Sequence, residues 1–200
     1  MNVHSFLFFM SDKRLIILEN LESIIATEGY DKLSMAKLAR LSNVAAGTIY
    51  RYFKDKEDLL MSLKKQLSTR YLRQISAGVK LTHCNYETFR QVWFNLLELH
   101  TQRNPKQLSI EQYLALPSED PKQSLQLLEA TLSEFDEFFR DGVENRILYP
   151  KDYQMLAIVS FAATANIGTR VRLGYTFDKD WLEQACFQAW TSIAINPKAV

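Results

Sequence analysis

Ser34 to Lys56, SMAKLARLSNVAAGTIYRYFKDK, is the stretch that leaves this chain the fewest folding choices. Ser34 stands where a hydroxyl caps the free backbone N–H groups of a helix starting at Met35. Met35, Leu38, Ala39 and Leu41 then recur at near-helical spacing, and Ala39 is small enough for a second helix to cross close over it. Asn43 follows four residues later, and asparagine is the non-glycine residue that most readily takes the left-handed conformation of a sharp turn. Val44 and Ile49 supply apolar plugs between the two helices. The spacing predicts two short helices around a tight turn, a helix-turn-helix.

The second of these helices opens on Ala45, Ala46, Gly47 and Thr48, all small. Such a start lets backbone N–H groups press close to a phosphate and side chains reach base edges. Tyr50, Arg51, Tyr52, Lys54 and Lys56 follow with hydroxyls and cations. Between Ser34 and Lys56 five basic residues face the single acid Asp55, a local charge of +4, whereas the whole chain carries +1. A near-neutral protein has no general attraction for polyanions and must concentrate its charge to bind one.

Ala39, Val44, Gly47, Thr48, Tyr50, Tyr52, Phe53, Lys56, Glu57 and Leu59, in the run GTIYRYFKDKEDLL, resemble the signature of the tetracycline-repressor (TetR/AcrR) family. The resemblance implies that Ser34 and Tyr50 contact phosphates of double-stranded operator DNA and that Lys56 clamps its backbone. It implies that Ala46, Gly47 and Thr48 lie at the groove-facing start of the recognition helix, with Arg51 and Tyr52 near bases or phosphates. Two positions depart from the family pattern: Asn43 replaces the usual glycine, and Ala36 stands where some members present an arginine to a base. Direct readout then falls on Thr48, Arg51 and Tyr52, with methyl contacts from Ala45 or Ala46. The resemblance is specific over Ser34–Leu59 and architectural elsewhere, although EQY followed by LALP within Ile110–Pro117 is similar to effector-domain sequences of the family.

Upstream, Leu15, Ile16, Leu18, Leu21, Ile24, Ile25 and Ala26 are spaced as one helical face, and Gly29 ends that helix. The expected fold is all-α: a three-helix DNA-binding domain over 11–55, joined by a coupling helix to a helical effector-binding and dimerisation domain over 56–200. Candidate helices run about 56–78, 86–103, 106–116, 121–146, 151–172 and 178–195, punctuated by Pro105, Pro117, Pro121, Pro150, Gly78 and Gly174. The coupling helix starts at Lys56 and carries Leu63, Leu67 and Tyr71 into the second core. The opening MNVHSFLFFM is apolar but lacks a basic leader and a cleavage site, and is too short to span a bilayer; Met10 offers an alternative start. Cys84 and Cys186 belong to no spaced cluster, which fits a reduced, cytoplasmic chain.

The penultimate helix is apolar on nearly every side, and a helix of that kind is expected to be buried on every side. Met155, Ile158, Val159, Ala162 and Ala165, with Trp181, Ala185, Ala189 and Trp190 of the last helix, are the candidate interface of a two-fold homodimer closed as a four-helix bundle. Two heads read a palindrome where one head reads half of it. Trp93, Phe94, Leu97, His100, Phe135 and Phe139 supply an aromatic and apolar lining, and Glu111, Gln112 and Tyr113 supply polar groups, for a small-molecule effector of unknown identity.

An enzyme finds no support in the sequence: there is no glycine-rich phosphate loop, nucleophile elbow or HExxH run, and His4, His83 and His100 are not at metal spacing. No catalytic residue, metal or cofactor is expected. A helical adaptor that binds only proteins is the contrasting class, and it leaves Tyr50, Tyr52 and Lys56 without a task.

Overall fold

The computed structural model describes residues 3–118 and 120–197, and these form helices without strands. In chain order they are α1 (Val3–Glu28), α2 (Met35–Leu41), α3 (Ala46–Tyr52), α4 (Lys56–Ile75), α5 (Tyr86–Thr101), α6 (Ile110–Leu114), α7 (Pro121–Glu144), α8 (Tyr153–Arg172) and α9 (Lys179–Thr191), with a 3-10 turn at Tyr30–Lys32. None is long and apolar enough to cross a membrane. Packing divides the chain into two compact units, Met1–Ser68 with Asn104–Leu125, and Thr69–Arg103 with Gln126–Val200. The division falls inside α4, so one continuous helix begins in the first unit and ends in the second.

In the first unit α1 buries Ile17, Leu18, Leu21, Ile24 and Ile25. Leu15 and Ile16, expected on that face, are largely exposed, and Ile17 takes their place. The α2 cap forms as the sequence requires, with Ser34 Oγ accepting from the Lys37 N–H at 3.2 Å. Asn43 adopts φ 51°, and the Val44 N–H returns to the Ala39 carbonyl at 3.0 Å, which closes the turn. Ile49 and Phe53 are the buried plugs, while Val44 is half-buried and Leu41 turns to solvent. At the head of α4, Asp55 Oδ1 accepts from the Asp58 N–H and Asp58 Oδ2 accepts from the Lys54 N–H, both at 2.8 Å. Residues 104–125 are tied into this unit by side chains that periodicity does not reveal. The buried Glu22 carboxylate accepts from the Leu108 N–H at 2.8 Å, and the Tyr113 and Ser68 hydroxyls lie 2.6 Å apart.

In the second unit α5 lies against α8, and their closest approach is at Gly168. A methyl group there would sit 2.4 Å from His100 Cβ, so the crossing admits only glycine. Phe89 stacks on Phe161 with ring centres 5.2 Å apart and meets Trp190 at the same distance. Arg90 donates from Nε to Glu183 Oε2 at 2.7 Å and from Nη2 to Oε1, a fork that joins α5 to α9. The end of α9 is pinned to the segment after α7 by Tyr149 N–H to Ile193 carbonyl and Ile195 N–H to Ile147 carbonyl bonds, each 2.9 Å.

One sequence expectation, at Trp190, is corrected here. The buried line of α8 is Leu156, Ser160, Thr164, Ile167 and Gly168, small and hydroxyl residues that allow α5 to come close. Met155, Ile158 and Val159, expected at an intersubunit face, are more than half exposed in the single chain. Trp190, expected at an intersubunit face, is wholly buried against Phe89 and Tyr86 of its own chain.

Candidate nucleic-acid interface

α3 is two turns long and buries only Ile49. Ala46 and Tyr50 stand one turn apart, as do Gly47 and Arg51, and it is Gly47 and Arg51 that lie on the side opposite the plug. Ala45, Ala46, Gly47, Tyr50 and Arg51 are exposed, and Thr48 and Tyr52 are half-buried. The preceding Ala45 is extended (φ −67°, ψ 146°) and no side chain caps the helix. The Thr48 N–H donates to the Ala45 carbonyl at 2.8 Å, and the other first N–H groups of α3 have no side-chain cap, at an end where the peptide dipoles favour an anion.

Gly47 has no internal reason to be glycine. A Cβ added there meets nothing within 4 Å, and its φ is not in the left-handed region. Alanine at such a position would favour the helix by about 1 kcal/mol. The protein's own packing leaves that gain untaken.

The cations around this helix are positioned by rings. The Arg51 guanidinium lies 5.9 Å from the centre of Tyr52, and the Lys56 ammonium lies 4.3 Å from the centre of Tyr30. Arg14 spans from the Phe53 ring, 5.0 Å away, to Ser62 Oγ at 2.9 Å. Tyr30 and Arg14 do not stand out in the sequence, because both sit outside the helix-turn-helix run and meet it only through folding. Lys37 is ion-paired with Glu28, so part of the positive charge counted between Ser34 and Lys56 is neutralised from outside that run.

The other sequence-designated residues divide as follows. Met155, Ile158, Val159 and Ala162 are exposed at three- and four-residue steps along α8, Ala165, Ala185 and Ala189 are half-buried, and Trp181 is exposed and stacked on Phe177 at 4.7 Å. Trp93, Phe135 and Phe139 are core residues of the second unit, and the Trp93 Nε1–H is buried with no acceptor among the described residues. His100 lies in the α5–α8 crossing, where its carbonyl accepts from Arg172. Phe94 and Leu97 line a cavity of about 530 Å³ in the second unit. Glu111, Gln112 and Tyr113 belong to the first unit. The Gln112 side chain, expected to orient an effector, instead closes the cap of α6, accepting from the Ser109 N–H at 3.0 Å. Burial pushes both thiols, Cys84 and Cys186, up to about 12, so neither ionises near neutrality.

A family model described as bacterial regulatory proteins, tetR family, matches residues 17–63. A second, described as tetracyclin repressor-like, C-terminal domain, matches residues 85–194. A helix-turn-helix-type transcriptional regulator of Haemophilus influenzae is 39% identical over 98 residues, 48% of this chain and 52% of that protein, so the match spans about half of the relative's length. Among solved structures, a TetR-family transcriptional regulator from Vibrio parahaemolyticus superposes with a TM-score of 0.77 at 33% identity, over 91% of this chain and 98% of the other. A TetR-family regulator from Haemophilus influenzae gives a TM-score of 0.75 at 28% identity, over 92% of this chain and 97% of its own.

Proposed function

Because the chain belongs to the tetracycline-repressor family of helix-turn-helix transcriptional regulators, we propose that it is a dimeric repressor that leaves a palindromic operator when a small molecule binds its C-terminal helices. It acts in the cytoplasm and makes no use of a cofactor. Residues 11–55 read DNA, and residues 56–200 sense the effector and dimerise. The observation that carries the DNA-reading role is the outward face of α3, where Gly47 is bare for no reason internal to the fold. Ser34, Ala45, Ala46, Thr48, Tyr50, Arg51, Tyr52 and Lys56 are its companions, the hydroxyls and cations on phosphates and Thr48, Arg51 and Tyr52 toward bases.

Dimerisation is supported by the apolar stripe of α8, where Met155, Ile158 and Val159 stand exposed side by side in the single chain. Ligand control is supported by the continuity of α4, whose first turn carries Lys56 and whose last turns enter the second unit. An effector that binds better to one position of α4 than to another changes the spacing of the two heads, and one with equal affinity for both changes nothing.

Retardation of the DNA flanking the gene at two salt concentrations tests this reading. Specific binding that weakens steeply with salt is expected, because each neutralised phosphate releases counterions. Absence of specific binding at both salt concentrations would instead leave an adaptor that binds proteins alone.

A further inference from the structure

We infer that the cavity beside α5 binds an amphipathic organic cation, an amine or quaternary ammonium carried on an aromatic body. The inference deepens the effector role proposed for the second unit, and it rests on that reading only for its consequence at DNA. The cavity volume of about 530 Å³ falls within the range of small-molecule sites.

Its wall chemistry selects the sign of the ligand. Glu98 is the one charged side chain in the lining, is exposed, and has no ion-pair partner among the described residues. The neighbouring donors are spent inside the protein. Asn95 Nδ2 donates to the Ile75 and Ala77 carbonyls, both at 2.9 Å. Gln91 Nε2 donates to Asn95 Oδ1 at 2.8 Å, and the Thr101 hydroxyl donates to the Glu98 carbonyl at 2.8 Å. The α5 side of the lining thus retains chiefly acceptor capacity, the Glu98 carboxylate above all, while the Tyr175 and Thr176 hydroxyls opposite can donate or accept. Of the guanidiniums on the same two helices, Arg90 is engaged by Glu183, Arg172 by the His100 carbonyl and Thr169 Oγ1, and exposed Arg170, which is not in the lining, by the Asn166 carbonyl at 3.3 Å. The Arg90 guanidinium lies 4.9 Å from the centre of the Phe94 ring but its donors are engaged by Glu183, so among the lining residues an anion meets the Glu98 carboxylate and no cationic side chain.

The remaining wall selects the body. Phe94, Tyr175 and Phe177 bring aromatic rings to the same cavity, and Leu97, Ile167 and Val171 complete an apolar floor. The negative face of an aromatic ring attracts an ammonium as well as packing against a flat apolar group. One carboxylate with several rings around it is the recognition chemistry of an aromatic amine or quaternary ammonium ion, and it disfavours a carboxylate or phosphate ligand of the same size.

The test is calorimetric titration of the full chain with (1-naphthylmethyl)trimethylammonium and, separately, with 1-naphthylmethanesulfonate, which carry one ring system and opposite charges. The cation is expected to bind at least about tenfold more tightly, and Glu98→Gln to weaken it about fivefold. Glu19→Gln, an exposed carboxylate of α1 in the first unit, is expected to leave it unchanged. Equal binding of the two probes, or a Glu19→Gln loss as large as that of Glu98→Gln, overturns the inference. So does absence of cation binding by protein that still retards operator DNA, and that outcome leaves the DNA-reading proposal standing. Glu98-dependent cation binding that does not alter operator retardation supports the site and defeats the effector role instead.

Discussion

The exposed faces of α3 and α8 have opposite chemistry. α3 hides one isoleucine and shows solvent small residues, hydroxyls and a guanidinium, whereas α8 hides serine, threonine and glycine between Leu156 and Ile167 and shows methionine, isoleucine and valine. On α3 the apolar residue holds the helix in place and the outward face is the one proposed to meet a polyanion. On α8 the small inward residues let α5 approach, and the apolar side chains are left for a surface from which water can be expelled. What a helix leaves uncovered thus indicates its partner more directly than its overall share of apolar residues does.

The largest break in this contrast is expected at Ile158, the most exposed of the three large residues on the α8 stripe at 67%. A carboxylate placed in the middle of a buried interface has no counterion to offset its desolvation. Ile158→Glu should convert the proposed dimer to a species of 23.2 kDa by sedimentation at micromolar concentration. Retention of operator DNA should fall on the order of 100-fold, because a single head keeps only half of the site. The folded monomer itself should be little perturbed, since the side chain already faces solvent. A variant that remains dimeric would remove the stripe from the interface.

A smaller and more pointed effect is expected at Gly47. Gly47→Ala meets no neighbour inside the chain, so thermal unfolding should be unchanged or rise by up to about 1 kcal/mol in stability. Operator affinity should nonetheless fall about tenfold, because a methyl group stands where the backbone approaches DNA. Stability and affinity moving together, in either direction, would assign Gly47 to folding and take away the main support for the α3 face. Lys56→Ala should cost less, a few-fold at physiological salt and similar across DNA sequences, with the salt slope reduced by about one. Tyr30→Leu should retain most of that slope while loosening the ammonium it holds at 4.3 Å.

The same contrast explains what could be read from the sequence. Asn43, Ser34 and the plug Ile49 were legible because a tight turn, a cap and a crossing each admit few residue types within one or two turns of chain. The inward side of α8 was not legible, because an apolar helix has no polar face to give its orientation. Gly168 against His100, 68 positions apart, decides it through a contact that no local period contains. Trp190 is ambiguous in sequence for the same reason: a large aromatic on a broad apolar face fits a core and an interface equally well until the partners Phe89 and Tyr86 are in place. Lys56 was evident and Tyr30 was not, since the ring reaches the cation only after α1 and α4 have packed. The cavity lining drew on Phe94 and Leu97 from the aromatic set, but its charge comes from Glu98, an ordinary surface acid in sequence.

The smallest expected effect concerns the fork from Arg90 to Glu183, which holds α9 on α5 and so helps to fix the orientation of the exposed α8–α9 surface. The hydrogen bonds from Arg90 hold the Glu183 carboxyl below its ordinary range, against a burial effect that raises it. A carboxylate depressed in the folded state stabilises the protein above its unfolded-state value, and that stability is lost as pH falls through the folded value. Both side chains are about one-third exposed, so solvent screening limits the pair to under about 1 kcal/mol. Glu183→Gln should therefore lower the melting temperature near neutral pH by no more than about 2–4 °C at fixed protein concentration. The gap from the parent should narrow as both are acidified below the ordinary carboxylate range, where the parent carboxyl takes up its proton and also loses the charged fork. Because Arg90 and Glu183 touch neither α3 nor the α8 stripe residues in the contacts described, operator affinity should stay within about twofold while the dimer persists. A gap that stays constant with pH would show that packing of the Glu183 stem, rather than the charge pair, joins α9 to α5.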